Sequence, residues 1–381
     1  MKSVQTHWDG EAWSPCDLTG FNLDTTLVLI FGDLPNAIAP VQALREQLPQ
    51  AQFAGCTTAG EISSHGATDD VLVATIIAFE HSQIKLASTQ VARREDSRAA
   101  GRRLADALSD DELQYIMIIS DGMTVNGSEL ARELVAVHPG VPVTGGLAGD
   151  GARFNETFTL ANDKLATHQV VAIGFYGDAL SVSYGSRGGW IPFGPIRKIT
   201  DAEANVLKEL DHESALTVYR RYLGEQADEL PAAGLRYPLE IMEEGKNTTV
   251  VRTLLSINEQ DGSVVFAGDI PKGASARLMR ANAESLIDGA NQAATACQQG
   301  CKHGSEVAIL VSCVGRRLLL RQLADEEIDE VTAVLGDDVM VCGYYSYGEI
   351  APFEMGDCAE LHNQTMTVTS LSERKGDAPT A

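Results

Sequence analysis

The sequence predicts an α/β fold with mixed β-sheets, built from βαβ units and arranged as two related halves with internal pseudo-symmetry. Three observations carry this. A pattern of apolar strand, polar helix, apolar strand and glycine-rich loop recurs three times along the 381 residues. One loop phrase occurs twice, G-C-T-T-A-G-E-I at 55–62 and G-Y-Y-S-Y-G-E-I at 343–350, sharing G-x-x-[TS]-x-G-E-I. Between these units lie apolar stretches joined by very short turns, the signature of antiparallel strands.

The first unit is T-T-L-V-L-I-F-G (25–32), a helix near Ile38–Leu48, then Q-F-A-G and the loop at 55–60. The second is Y-I-M-I-I-S (115–120), a helix from about Ser128 to Val137, then V-P-V-T and the loop G-G-L-A-G-D-G at 145–151. The third is V-A-I-L-V-S-C (307–313), a helix from about Arg316 to Leu335, then V-M-V-C-G and the loop at 343–348. Strands alternating with helices pair in parallel, and right-handed crossovers place all three loops at strand C-terminal ends. Open α/β sheets bind ligands at that edge. The stretches 71–79 and 83–91 are expected to pair as a hairpin, and so are 168–177 and 180–186. Residues 237–268 read as a meander and 363–371 as a last strand. Ala215–Leu223 carries apolar residues at helical spacing, with Gly224 as its stop. A domain boundary is expected close to Gly224–Pro238, and the tail R-K-G-D-A-P-T-A (374–381) is expected to be disordered.

Composition narrows the function. A net charge of −24 leaves no phosphate-neutralising surface, which argues against nucleic acid and anionic membranes. The longest apolar run, V-L-V-A-T-I-I-A-F at 71–79, is too short to span a bilayer, and the N-terminus lacks a signal-peptide core. Seven cysteines, an odd number with several in apolar strands, fit a reduced cytoplasmic setting better than a disulfide framework.

Six ordered motifs resemble the FIST sensory domain: G-C-T-T-A-G-E-I at 55–62, G-G-L-A-G-D at 145–150, G-W-I-P-F-G-P…I-T-D-A-E-A-N-V-L-K-E-L-D at 189–211, A-L-T-V-Y-R-R-Y-L-G at 215–224, S-C-V-G-R at 312–316 and G-Y-Y-S-Y-G-E-I-A-P at 343–352. The resemblance implies an N-terminal extension at 1–24, a FIST N-terminal domain at 25–224, a FIST C-terminal domain at 225–366, and the end of the last strand with the tail at 367–381. It implies a stand-alone sensor without catalysis of its own, which binds a small ligand and signals to a partner such as a histidine kinase or a cyclic-di-GMP enzyme. One branch of the family binds haem and senses nitric oxide, so haem is the expected cofactor, with an amino-acid-like metabolite as the alternative. A homodimer stays open. The chain departs from the family's usual D-G-x-P-A at Asp211-His212-Glu213-Ser214-Ala215, which introduces a histidine.

Candidate ligand-binding residues follow from the loops: Cys56, Thr57, Thr58, Gly60 and Glu61 in the first copy, and Tyr345, Ser346, Tyr347 and Glu349 in the second. Hydroxyls and carboxylates there give directional polar groups, and tyrosines can wall a flat ligand. Arg316 follows a strand and opens a helix, where a guanidinium can clamp a carboxylate. Haem iron needs an axial donor beside an apolar wall. His65, His212 and His168 are the candidates among eight histidines. Cys297, Cys301 and His303 form the densest soft-ligand cluster, read either as a metal or redox site or as ordinary cysteines near a helix end. The rival from another class is an enzyme using Cys56 or Cys313 as nucleophile.

Overall fold

The computed structural model describes residues 1–15, 17–69, 71–245, 248–301 and 303–374. The tail expected to be disordered lies, from residue 375 on, outside the described residues. The α/β class with mixed sheets is as expected.

Each of the three repeats builds one sheet. In the first unit, Thr26–Phe31 and Gln52–Cys56 pair in parallel across helix α1 (Ile38–Gln47). Leu72–Ala78 lies antiparallel beside Thr26–Phe31, and Lys2–Trp8 lies outside that. The second unit has Gln83–Gln90 as its outer strand, followed by α2 (Ser97–Leu108). Its parallel pair, Leu113–Ser120 and Val143–Leu147, flanks α3 (Gly127–Val137), with Gln169–Tyr176 antiparallel to the former.

The third unit takes Leu180–Arg187 as its outer strand. An inserted antiparallel unit then runs from Arg197 to Arg280, carrying α4 (Ala215–Leu223) on its sheet. Ser214 caps α4 by accepting from the Thr217 N–H, and Ala215, Leu216, Val218, Tyr219 and Leu223 bury one face. The inserted unit has its own apolar core, around Tyr219, Leu239, Ile241, Leu254 and Phe266. Gly224–Pro238 runs within it as two short 3-10 turns, and Ala233 belongs to the same core. The third unit resumes with α5 (Ala283–Gly300) and the parallel pair Val307–Cys313 and Met340–Ser346, closed by Met366–Glu373. Its connecting helix is two pieces, α6 (Val314–Leu320) and α7 (Ala324–Leu335), rather than one. Arg321, at φ +53°, turns the chain between them.

After each parallel pair the chain leaves its own sheet. The hairpin Glu61–Ser63/Gly66–Thr68 joins Met340–Ser346 in the third sheet. The hairpin Gly348–Ala351/Glu360–His362 joins Val143–Leu147 in the second. The hairpin Thr159–Ala161/Lys164–Ala166 joins Gln52–Cys56 in the first. This cyclic exchange covers an edge of each sheet that would otherwise be open, and it interlocks the N- and C-terminal halves.

The two expected hairpins at 71–91 and 168–186 do not form. Leu72–Ala78 stays in the first sheet while Gln83–Gln90 enters the second, and Gln169–Tyr176 stays in the second while Leu180–Arg187 enters the third. The short turns are corners between sheets. At the first corner the Glu373 carboxylate accepts the N–H groups of Glu80, His81 and Ser82 at 2.8, 3.0 and 2.8 Å, so the turn's donors are satisfied without a hairpin ladder.

The three sheets face one inner core, where Leu29 and Phe31 meet Tyr115, Ile119, Val311 and Tyr344. Val28 and Ile30 of the same first strand point outward into the core under α1. A strand buried on both faces reads as an unbroken apolar run, which is how T-L-V-L-I-F reads. The first glycine of each loop has a single cause. A Cβ on Gly55, Gly145 or Gly343 would lie 1.9, 1.9 or 1.8 Å from the carbonyl oxygen of the parallel neighbour, Ile30, Ile118 or Leu310.

Candidate functional site

The two signature loops are built alike. Thr58 Oγ1 donates to Glu61 Oε1 at 2.6 Å, and Ser346 Oγ donates to Glu349 Oε1 at 2.6 Å. That bond is the reason for a hydroxyl three residues before the glutamate. The loops are then laced together. Ala59 N–H donates to Tyr345 O and Tyr345 N–H to Gly60 O, both at 2.8 Å. The 145–151 loop joins through Gly149 N–H to Thr57 O at 3.0 Å and Gly151 N–H to Thr58 O at 2.9 Å. All three strand ends thus meet at one junction. Burial pushes both glutamate carboxyls up to about 7, against the hydrogen bonds that favour their charged forms.

The candidate residues divide at this junction. Thr57, Thr58, Gly60 and Glu61 line a cavity of ≈ 70 Å³ with Asp33, Asp69 and Arg153. Ser346 and Glu349 are buried, and the second oxygen of Glu349 accepts the Thr365 N–H and hydroxyl at 3.1 and 2.9 Å. Arg316 does not face a ligand site. Its side chain is fully buried and pairs with Glu327 of α7 at 2.8 Å. The remaining donors reach Gly188 O and Leu286 O, both at 2.7 Å. Tyr345 donates to the same Glu327 at 2.9 Å. These two residues form a buried tie between α5, α6, α7 and the end of the parallel pair.

Tyr347 is different. Its hydroxyl donates to Asp150 and accepts the N–H groups of Asp150 and Phe154 at 3.1 and 3.2 Å. Its ring stacks on Phe154 with centroids 4.4 Å apart. That stacked pair forms part of the wall of a cleft of ≈ 550 Å³. Met123 and Leu147 continue the wall on the side of the three-sheet body, with Leu318 of α6. The inserted unit supplies the opposite wall through Pro231, Leu235, Leu254 and Leu255. Met123, Phe154, Leu255 and Leu318 keep 39, 37, 42 and 38% of their surface exposed. Apolar surface grouped in this way marks a binding site. Apart from Tyr347, sequence reasoning missed this cleft, because its walls come from segments without a repeated phrase. The isolated apolar residues Met123, Phe154 and Leu255 in loop-like or edge segments were the available signal.

A family model of the FIST N domain matches residues 26–213, and one of the FIST C domain matches residues 215–352. The chain belongs to the FIST family. FIST domains are ligand-sensing signal-transduction domains rather than catalysts. Comparison with curated proteins gives no significant match. Among solved structures, a cyanuric acid hydrolase from A. caulinodans is 11% identical with a TM-score of 0.19, over 77% of this chain and 99% of that one, too remote to carry an argument. No helix among the described residues is long and apolar enough to cross a membrane.

The other candidates in this FIST chain lie away from the cleft. His65 is exposed beside His7, with ring centroids 5.6 Å apart. His168 is exposed and its Nδ1 lies 2.6 Å from Thr124 Oγ1. The His212 side chain is 85% exposed, in the turn that the family departure creates. None of the eight histidines lines the small cavity, the apolar cleft, or a third cavity of ≈ 660 Å³ bordered by Glu360 and Leu361. The three named histidines thus lie away from the apolar walls of these cavities. Burial pushes the Cys56 and Cys313 thiols up, away from the thiolate that a nucleophile requires. Cys297 is buried and Cys301 half-buried, sharing the Ser183 hydroxyl at 3.4 and 2.7 Å, while His303 is exposed. Among the described residues no group of three His, Cys, Asp or Glu side chains is placed to hold a metal ion.

Proposed function

We propose that this FIST protein senses a small, largely apolar organic ligand in the cleft between the inserted unit and the three-sheet body. One observation carries the reading: the Phe154–Tyr347 stack, anchored on the laced loops, faces Leu254 and Leu255 of a separately cored unit across ≈ 550 Å³. A ligand there touches both bodies. Its differential affinity for their arrangements biases that equilibrium, and a partner signalling protein, a histidine kinase being one class, reads the result.

The test uses the neutral fluorophore N-phenyl-1-naphthylamine. Saturable binding to the wild-type chain is expected, with at least a tenfold loss in Leu255→Asp, because a charge on the wall is desolvated by the ligand. Binding that is absent, or unchanged in Leu255→Asp, contradicts the reading. Haem with nitric oxide as the signal is the finer reading that the family resemblance suggests, and without an imidazole on the cleft wall it ranks below an organic ligand. A stoichiometric Soret band that shifts with nitric oxide and is lost in His65→Ala, His168→Ala or His212→Ala would reverse that order.

A further inference from the structure

We infer that the ≈ 660 Å³ cavity is a second ligand site, taking a small organic monoanion, a carboxylate on an apolar body, with Arg252 as its anchor. Ala359, Glu360 and Leu361 line this cavity, and Leu361 also borders the apolar cleft. Arg252 ends the strand Val250–Arg252 and is only 5% exposed. Its Nε donates to Asp269 O at 3.2 Å, and its Nη1 to Leu361 O and Val251 O at 2.8 and 3.5 Å. These acceptors are neutral carbonyls. No carboxylate among the described residues comes within ion-pair distance of it, Asp269, Glu360 and Glu243 attracting it only from farther off, and Nη2 hydrogen-bonds to no described residue.

Contrast with Arg316 gives this weight. That arginine, equally deep, has a carboxylate on two of its nitrogens and carbonyls on the rest. A guanidinium is buried at a penalty unless paired, and a planar carboxylate matches its fork. Ser128, in the first turn of α3, also lines the cavity, and its buried hydroxyl has no hydrogen-bond partner among the described residues. Val135, Ala136, Val250 and Ile270 make the rest of the wall apolar.

Charge selects the ligand class. The Asp269 carboxylate also lines the cavity, so a dianion such as a phosphate monoester meets more repulsion than a carboxylate does. Arg132 and Lys272 at the lining are already matched, to Glu129 and to Asp201 at 2.9 Å. Gly268 leaves room for the anchor, since a Cβ there would lie 2.7 Å from Arg252 Nε.

Calorimetry of the full chain at constant ionic strength, with benzoate, benzamide and phenyl phosphate as probes, tests the site. Benzoate is expected to bind saturably, benzamide not to bind, and phenyl phosphate to bind more weakly than benzoate. Arg252→Gln should weaken benzoate at least tenfold and Ser128→Ala several-fold, while Leu255→Asp leaves it unchanged. Where Arg252→Gln fails to fold, Gly268→Ala, which displaces the guanidinium without changing charge, should give the same loss. Absence of benzoate binding, binding at the wild-type level in the Arg252 and Gly268 variants, or tighter phenyl phosphate binding overturns the proposal. The Leu255→Asp arm keeps the outcome separate from that of the apolar cleft.

Discussion

At the residue scale, Glu61 and Glu349 make stability depend on pH. Each carboxyl is held up to about 7 in the folded chain, against an ordinary value of 4.5. The folded state therefore keeps protons that the unfolded chain has released. The stability these groups contribute is full below pH 4.5 and is lost as pH rises through about 7. The shift corresponds to roughly 3 kcal/mol for each group. Glu61→Gln and Glu349→Gln should each flatten the fall in melting temperature between pH 5 and pH 7.5, measured by calorimetry against wild type; parallel curves would show that burial does not hold the protons. Arg316 and Glu327 behave as a unit. Glu327→Gln should destabilise by about 3–5 kcal/mol, since it leaves a buried guanidinium unpaired. A loss under 1 kcal/mol in urea unfolding would contradict the tie. The hydroxyl–glutamate bond was legible in the sequence as a spacing. The role of Arg316 was not, because its partner lies eleven residues on, in α7, where Glu327 reads like any surface acid in A-D-E-E-I-D-E.

At the element scale, the swapped hairpins set what the loops tolerate. Gly343→Ala would place a methyl 1.8 Å from Leu310 O, in a residue whose φ of +154° already favours glycine. A loss of roughly 3 kcal/mol or more is expected in chemical denaturation, and Gly55→Ala and Gly145→Ala should also lose stability, because a Cβ there would lie 1.9 Å from the carbonyl oxygen of the parallel neighbour. Wild-type stability in any of them would contradict that cause. The strands, helices and glycine loops of all three units were readable, since each apolar run is buried on both faces and each loop needs its glycine. Strand partners were not. Phe79–Ser82 looks locally like a hairpin turn, and only the carboxylate of Glu373, 291 residues beyond Ser82, makes it a corner between sheets. The break at Arg321 was equally hidden, because nothing in R-R-L-L-L-R-Q-L signals a positive φ in a non-glycine residue.

At the scale of the whole molecule, the exchange makes the two halves interdependent, while the inserted unit has its own core. Residues 1–213 expressed alone should aggregate or stay unfolded, because the parallel edge at Val143–Leu147 has lost the Gly348–Ala351 strand. Coexpression with residues 215–381 should restore a folded complex; a stable, monomeric N-terminal piece would contradict the interlock. The cleft lies between the three-sheet body and the separately cored inserted unit, so a ligand bound there touches both. The most direct test is hydrogen–deuterium exchange of the full chain with and without saturating N-phenyl-1-naphthylamine. The account predicts protection on both walls together, around residues 122–127, 147–154 and 347 on the body and 231–235 and 254–255 on the inserted unit. Protection on one wall only, or elsewhere, would contradict a ligand that bridges the two.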